Sequence, residues 1–294
     1  MTSHAASRRR VVAILLAPAL FVLIAVTAGP LLYLLVTSFT PLDLTRPDSF
    51  RFSGFDNYRE LLRDDRFWNS VGVQFRLSAA TVLAQLVLGL GLALLLNRPL
   101  PFREVLRTGF MVPMVLPPII VAIIWKIWFT PLLTPLNVLT VPLGIVQPSW
   151  LTEPALALGT IVLADVWEWT PFTTLILLAA LQMMPDEPLE AARVDGASPW
   201  QQFLWIILPL LRPALMAAGL FRLIDSFKAF PLIFVMTGGG PGVATEPTNY
   251  YAYTQAFNQT FIGYSSAMIV VMLMVTMALS ALILGLPGLQ RDAD

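Results

Sequence analysis

PDEPLEAARVDGASPWQQFLWIILPLLRP, residues 185–213, lies between two long apolar runs and decides how the rest of the chain is read. Its neighbours are nearly free of charge, yet it holds Asp186, Glu187, Glu190, Arg193 and Asp195. The local signals spell two short helices and a turn. Asp186 and Glu187 suit capping positions, and Pro188 suits a first turn, where a missing N–H costs nothing. Glu190-Ala191-Ala192 propagates the helix, and Gly196 suits a left-handed exit that a Cβ would strain. Ser198-Pro199-Trp200-Gln201 restarts a helix with a capping-box pattern. A polar helix–turn–helix wedged between two membrane spans is expected to be a docking device.

Hydrophobic residues make up 57% of the 294, charged ones 12%, and the mean hydropathy is +0.74. A soluble domain carries about twice that charge. With no cysteine, disulfides, thiolate metal sites and a cysteine nucleophile are excluded. The one histidine, His4, lies in a polar N-terminal tail, which excludes most imidazole acid–base chemistry and His-ligated metals. No G-x-x-x-x-G-K-[ST] loop is present, so the chain itself is not expected to hydrolyse nucleotide. A net charge of zero argues against a nucleic-acid partner. Composition therefore predicts an all-α, polytopic membrane protein in one transmembrane domain.

Six spans are predicted, at about 11–38, 77–96, 105–129, 155–184, 212–235 and 262–286, with a cytoplasmic loop at 185–211. The first is too long for a signal-peptide core and is read as uncleaved, with Arg8-Arg9-Arg10 held inside. Residues 39–76 carry six arginines and six carboxylates, with an amphipathic piece at 56–62 that predicts a short surface helix. The link after span two carries Arg98, Arg103 and Arg107 against one acid, as a cytoplasmic loop should. Pro113 and Pro117-Pro118 predict a kink in span three, where Lys126 can snorkel to the outer headgroups. Six spans put both termini and the 185–211 loop on the same, inner side.

Ionisable groups deep in a bilayer cost at least about 2.5–3.5 kcal/mol each, so they need partners or water. Counting along spans four and five puts Asp165 and Glu168, and Arg222 and Asp225, near mid-membrane. Asp165, Glu168, Trp169 and Phe172 share one helical face, and Arg222, Asp225 and Ser226 another. Two readings stand side by side. The faces line a polar path, where carboxylates accept from sugar hydroxyls and an indole covers a sugar's apolar face. Alternatively, Arg222 neutralises a neighbouring acid and locks the helices together. On span six, Met268, Met272 and Tyr264 read as packing, and Gly263 with Ala267 as a close helix contact.

Glu190-Ala191-Ala192, three residues, Gly196, nine residues, Ile206, one residue and Leu208-Pro209 resembles, without a gap, the EAA loop of membrane subunits in binding-protein-dependent ABC importers. Gly54-Phe55-Asp56-Asn57-Tyr58 and Thr237-Gly238-Gly239-Gly240-Pro241 resemble signatures of that family's sugar permeases, similar to the maltose and trehalose type. The resemblance implies a type I importer fold in the cytoplasmic membrane. It also implies that Glu190, Ala191, Ala192, Arg193, Asp195 and Gly196 form a coupling helix and turn seated on an ATPase. Implied partners are a second permease, a dimer of ATP-binding subunits carrying ATP and magnesium, and an extracytoplasmic solute-binding protein. This chain would bind no cofactor itself and would pass a sugar, oligosaccharide or polyol. The alternatives are an ion-gradient-driven transporter, which would show inverted repeats, and a membrane enzyme acting on lipid-linked sugars.

Overall fold

The computed structural model describes residues 2–99, 101–135, 137–144 and 148–285. In chain order the first helices are α1 (Thr2–Ser38), α2 (Asp56–Leu61), α3 (Asp65–Leu96), α4 (Arg103–Val115) and α5 (Pro118–Phe129). Next come α6 (Asn137–Thr140), α7 (Pro154–Gln182), α8 (Glu187–Val194), α9 (Pro199–Gln202) and α10 (Leu208–Ser226). The last are α11 (Pro231–Met236), α12 (Thr248–Tyr253) and α13 (Ile262–Leu284). Among the described residues the only β pairing is isolated bridges. Two compact units make up the chain: one runs to Asp64 and takes back Ala252–Leu273, the other holds Asp65–Tyr251 and resumes at Met274.

In the first unit, α1 ends with carbonyls that have no intrahelical donor. Buried Asn57 supplies one, donating to the Ser38 and Thr40 carbonyls at 2.9 and 2.8 Å, while the Tyr58 and Ser38 hydroxyls lie 2.8 Å apart. The G-x-x-N-Y signature is thus a cap for the first span, and Gly54 opens it at φ +64°. Gly263, at the start of α13, donates its N–H to the Leu42 carbonyl, and a methyl there would collide with the Thr40 carbonyl. The expected close contact is real, and it is to a loop backbone.

Helices α3, α7 and α10 form the heart of the second unit. Ala93, Leu96, Leu177, Leu178, Leu181 and Leu211 pack one end of it. Leu77, Val121, Ile161, Ala164 and Ile233 pack the other, joined by α5 and α11. Gly89 lets α3 cross α7 closely: a Cβ there would lie 2.7 Å from Thr173 Cγ2. The T-G-G-G-P turn is also structural. Gly238 and Gly239 hold positive φ, Gly239 packs under the Tyr250 ring, and the Thr245 hydroxyl donates to Gly240 at 2.6 Å. Beside it, Arg66 grips Glu246 with two hydrogen bonds of 2.8 and 2.9 Å and covers the Tyr251 ring.

Among the described residues, five helical stretches are long and apolar enough to cross a membrane, and α4 with α5, bent by 95° at their break, passes the same test only as a pair. Helices α7 and α13, at Pro154–Gln182 and Ile262–Leu284, lie close to the fourth and sixth predicted spans, and α1 ends at Ser38 like the first, whereas the second, third and fifth differ. The second span starts at Asp65 rather than 77, because the polar residues of its first turns (Ser70, Gln74, Ser78) are buried on an inward face. The third is not one kinked helix over 105–129. Leu116 and Pro117 are extended, since a residue before proline avoids the α region and Pro117 and Pro118 bring no donors. Lys126 donates to the Val235 carbonyl at 2.7 Å.

The fifth span, predicted at 212–235, occupies 199–226. At its start the helix widens over Phe203–Ile207, where Leu208 N–H reaches back to the Phe203 carbonyl. That π turn accommodates Pro209, which has no N–H to give. At its end the helix stops before Pro231, so residues 227–235 belong to a break and to α11. Arg222 and Asp225 therefore sit in the last turns of their helix, not at its middle. Residues 286–294, where the sixth span was placed to end, lie outside the described residues.

Candidate functional site

The elbow between α7 and α10 is built as its residues dictate. Asp186 occupies the N-cap of α8 without a side-chain bond, so the expected carboxylate cap does not form. Glu187 and Glu190 in the first turn and Arg193 in the last still complement the helix dipole. At the exit Gly196 has φ +80°, with Gly196 N–H bonded to the Arg193 carbonyl and Ala197 N–H to that of Ala192. This is a Schellman closure, which needs a residue at ease in the left-handed region. Ser198 and Gln201 then form the predicted capping box, at 2.8 and 3.3 Å. The second helix of the elbow is not free-standing. It runs without a stop from α9 into α10.

No residue of α8 is buried. Glu190, Ala191, Arg193, Asp195 and Gly196 are exposed and Ala192 is half-buried. Around them Met183, Val194, Trp200 and Trp205 expose 66–88% of their surface. The charged helix, none of it buried against this chain, is left open to contact from outside.

The second candidate site joins the two predicted faces. Asp165 and Arg222 pair at 3.2 Å, and both are buried. Gln85 of α3 closes the group. Its Nε2 donates to Asp165 Oδ2 at 2.8 Å and to the Asp165 carbonyl at 3.1 Å, and its Oε1 accepts from Arg222 Nε at 2.8 Å. The guanidinium lies 4.7 Å from the centre of the Trp169 ring and 3.6 Å from Asp225 Oδ2. Phe172 meets Trp169 and Phe221 edge-on, at 6.4 and 6.3 Å. The Ser226 carbonyl accepts from Gln74, which also donates to Ser78.

Glu168 is beside this group but not in it. It is 1% exposed, and neither carboxylate oxygen has a hydrogen-bond partner among the described residues. The seven path candidates thus divide. Asp165, Glu168, Arg222 and Ser226 are buried, whereas Trp169, Phe172 and Asp225 are half-exposed. Helix locking by Arg222 is present in this conformation, and the rings and Asp225 form its open side.

Sequence reasoning missed Gln85, Gln74 and Ser78. Their signal was available: Ser70, Gln74, Ser78, Thr81 and Gln85 recur at spacings of three and four, and all are buried. Such a stripe in an apolar helix is an inward face.

Known proteins agree with this architecture. Residues 85–289 match the family model of binding-protein-dependent transport system inner membrane components. The trehalose transport system permease protein SugA of Mycobacterium tuberculosis is 35% identical over 267 residues, covering 90% of this chain and 85% of that protein. The trehalose/maltose transport system permease protein MalF of Thermococcus litoralis is 38% identical over 241 residues, covering 82% and 81%. A chain from a bacterial ABC transporter involved in import of the acidic polysaccharide alginate has the same fold, with TM-score 0.83 at 20% identity over 96% of each chain. The fold, the exposed elbow and the sequence match converge: this chain belongs to the family of binding-protein-dependent ABC importer permeases, the inner membrane components of those transport systems.

Proposed function

We propose that this chain is the permease of a carbohydrate importer and couples to an ATPase through the 186–208 elbow. One observation carries the coupling reading: α8 keeps charges on its surface, buries none of its residues and is framed by exposed Val194, Trp200 and Trp205. The partners are a second permease, two ATP-binding subunits that hold ATP and magnesium, and a solute-binding protein outside the membrane. Both termini face the cytoplasm. ATP-driven closure of the ATPases moves α8, and the uninterrupted helix from Pro199 to Ser226 carries that motion to the polar centre as a rigid lever. Membership of a binding-protein-dependent family leaves the ion-gradient alternative without an observation in its favour.

The substrate is a neutral saccharide or polyol. Relatives named for trehalose and maltose support the class. Arg222 is already neutralised by Asp165, so the centre offers no spare positive charge to a phosphate. Trp169, Phe172 and Asp225 touch the passing sugar, by ring stacking and by accepting hydroxyl hydrogens, while Asp165, Glu168, Arg222 and Ser226 form the polar wall behind them.

The chain has no cysteine, so single cysteines introduced at Glu190 and Arg193 give clean crosslinks. Capture of the ATPase, with labelling only from the inner side, is the expected result. Labelling from outside, or crosslinks that never find an ATPase, would end the coupling reading. Uptake of labelled trehalose, maltose and sorbitol by the reconstituted complex tests the substrate class, with glycerol 3-phosphate as the control that should not be carried.

A further inference from the structure

Gln85 is buried completely, midway along an apolar helix, and its amide is used at both ends. The donor end faces Asp165, at 2.8 Å to Oδ2 and 3.1 Å to the carbonyl, and the acceptor end takes the Arg222 Nε proton at 2.8 Å. Arg222 Nη2 donates to the same Asp165 oxygen at 3.2 Å. Helices α3, α7 and α10 thereby close a ring of three side chains. The ring needs one group that donates on one side and accepts on the other. A carboxylate at this position would accept from Arg222 but set a like charge against Asp165. Leucine would leave an Asp165 oxygen and the Arg222 Nε short of a partner in a buried place, which is costly.

The free edge of the guanidinium carries the consequence. Nη1 makes no hydrogen bond among the described residues and lies 3.6 Å from Asp225 Oδ2, and Cζ sits over Trp169. Both are half-exposed members of the proposed path. Glu168, three residues on from Asp165 along α7, is buried and has two acceptor oxygens without a hydrogen-bond partner among the described residues. A guanidinium released at Nε has a rival carboxylate beside it.

We propose that Gln85 is a positioning residue for translocation. It clamps Arg222 to Asp165, holds it off Glu168, and so sets where the Trp169 ring and the Asp225 carboxylate stand. It touches no substrate. This deepens the path reading above and rests on it, because Trp169 and Asp225 must face the sugar for their placement to matter.

The test is uptake kinetics of the complete complex in proteoliposomes, per assembled complex, with trehalose and maltose or the two best-carried sugars of the panel above. Gln85→Leu should raise KM or shift the preference between the two sugars by about five- to tenfold, the equivalent of one lost buried hydrogen bond. Gln85→Glu should do more harm. Combining Gln85→Glu with Asp165→Asn exchanges acid and amide across the same contact and should return the preference to near the wild-type value. Two results overturn the proposal. One is wild-type KM and preference in Gln85→Leu complexes, however few assemble, which would make Gln85 a packing residue. The other is an exchange that restores nothing. Trp169→Ala and Asp225→Asn run in the same assay separate the two ideas: unchanged preference in both would defeat the path reading itself, whatever Gln85 does.

Discussion

The elbow and the polar centre are made from the same residue types and use them in opposite ways. At the elbow Glu190, Arg193 and Asp195 are exposed, water screens them, and their contribution to the stability of this chain is small. At the centre Asp165 and Arg222 are buried, and their attraction must offset a large desolvation cost. A charge left in water is available to a partner, whereas a charge buried with its counterpart is committed to the fold. With the proposed roles, the two sites differ in what a charge-removing mutation chiefly damages: stability at the centre, coupling at the elbow.

The sharpest way to break that comparison is Arg222→Met. It leaves Asp165 buried without its counterion and should cost about 3–5 kcal/mol, read as a lower midpoint in detergent thermal unfolding. A near-neutral result would mean that the centre is as solvated as the elbow. Gly196→Val is the elbow's counterpart. A β-branched residue at φ +80° strains the turn by about 1–3 kcal/mol, while uptake should fall at least about tenfold with ATP hydrolysis continuing. Normal uptake in that variant would count heavily against the lever. Ser198→Ala removes the capping box and should lower stability by about 1 kcal/mol, with a partial loss of coupling. Glu190→Gln with Arg193→Gln should leave the stability within about 0.5 kcal/mol of wild type and still weaken capture of the ATPase.

Asp43 offers a third case, neither locked in the centre nor bare on the elbow. The Thr45 hydroxyl and amide and the Thr260 hydroxyl, with Arg46 nearby, hold its carboxyl below the usual range. A depressed folded-state value gives stability that is complete above the ordinary carboxylate pKa and is lost as pH falls through the folded one. Acidification below about pH 4 should lower the protection of the Thr45 amide against hydrogen exchange, measured relative to its intrinsic rate at each pH. In Asp43→Asn that acid-dependent step should vanish. A step that persists would assign it to another carboxylate.

Much of the elbow was legible in the residues, because caps and turns are local. Gly196, Ser198 and Gln201 act within four or five positions of themselves, so their pattern predicts their geometry. Span four was legible for a similar reason: its apolar run ends in turn residues on both sides. Span five was not. Hydropathy placed its charges mid-helix, whereas Pro209 with its π turn and the break before Pro231 moved the whole helix toward the N-terminus. The G-x-x-N-Y and T-G-G-G-P signatures were recognisable as strings, but their roles as a helix cap and a rigid turn depend on partners such as Ser38, Thr40 and Tyr250.

By itself the sequence determined the class of the molecule, the number of apolar runs and the shape of the exposed elbow, because hydrophobic length, capping chemistry and backbone freedom are properties of short stretches. Which polar groups meet across helices was decided by tertiary structure. Gln85 and Asp165 are 80 positions apart and Gln85 and Arg222 are 137 apart, and no local rule pairs them. The crossing of α3, α7 and α10 does so, since a buried carboxylate, guanidinium and amide are tolerated together only where each completes the others' hydrogen bonds.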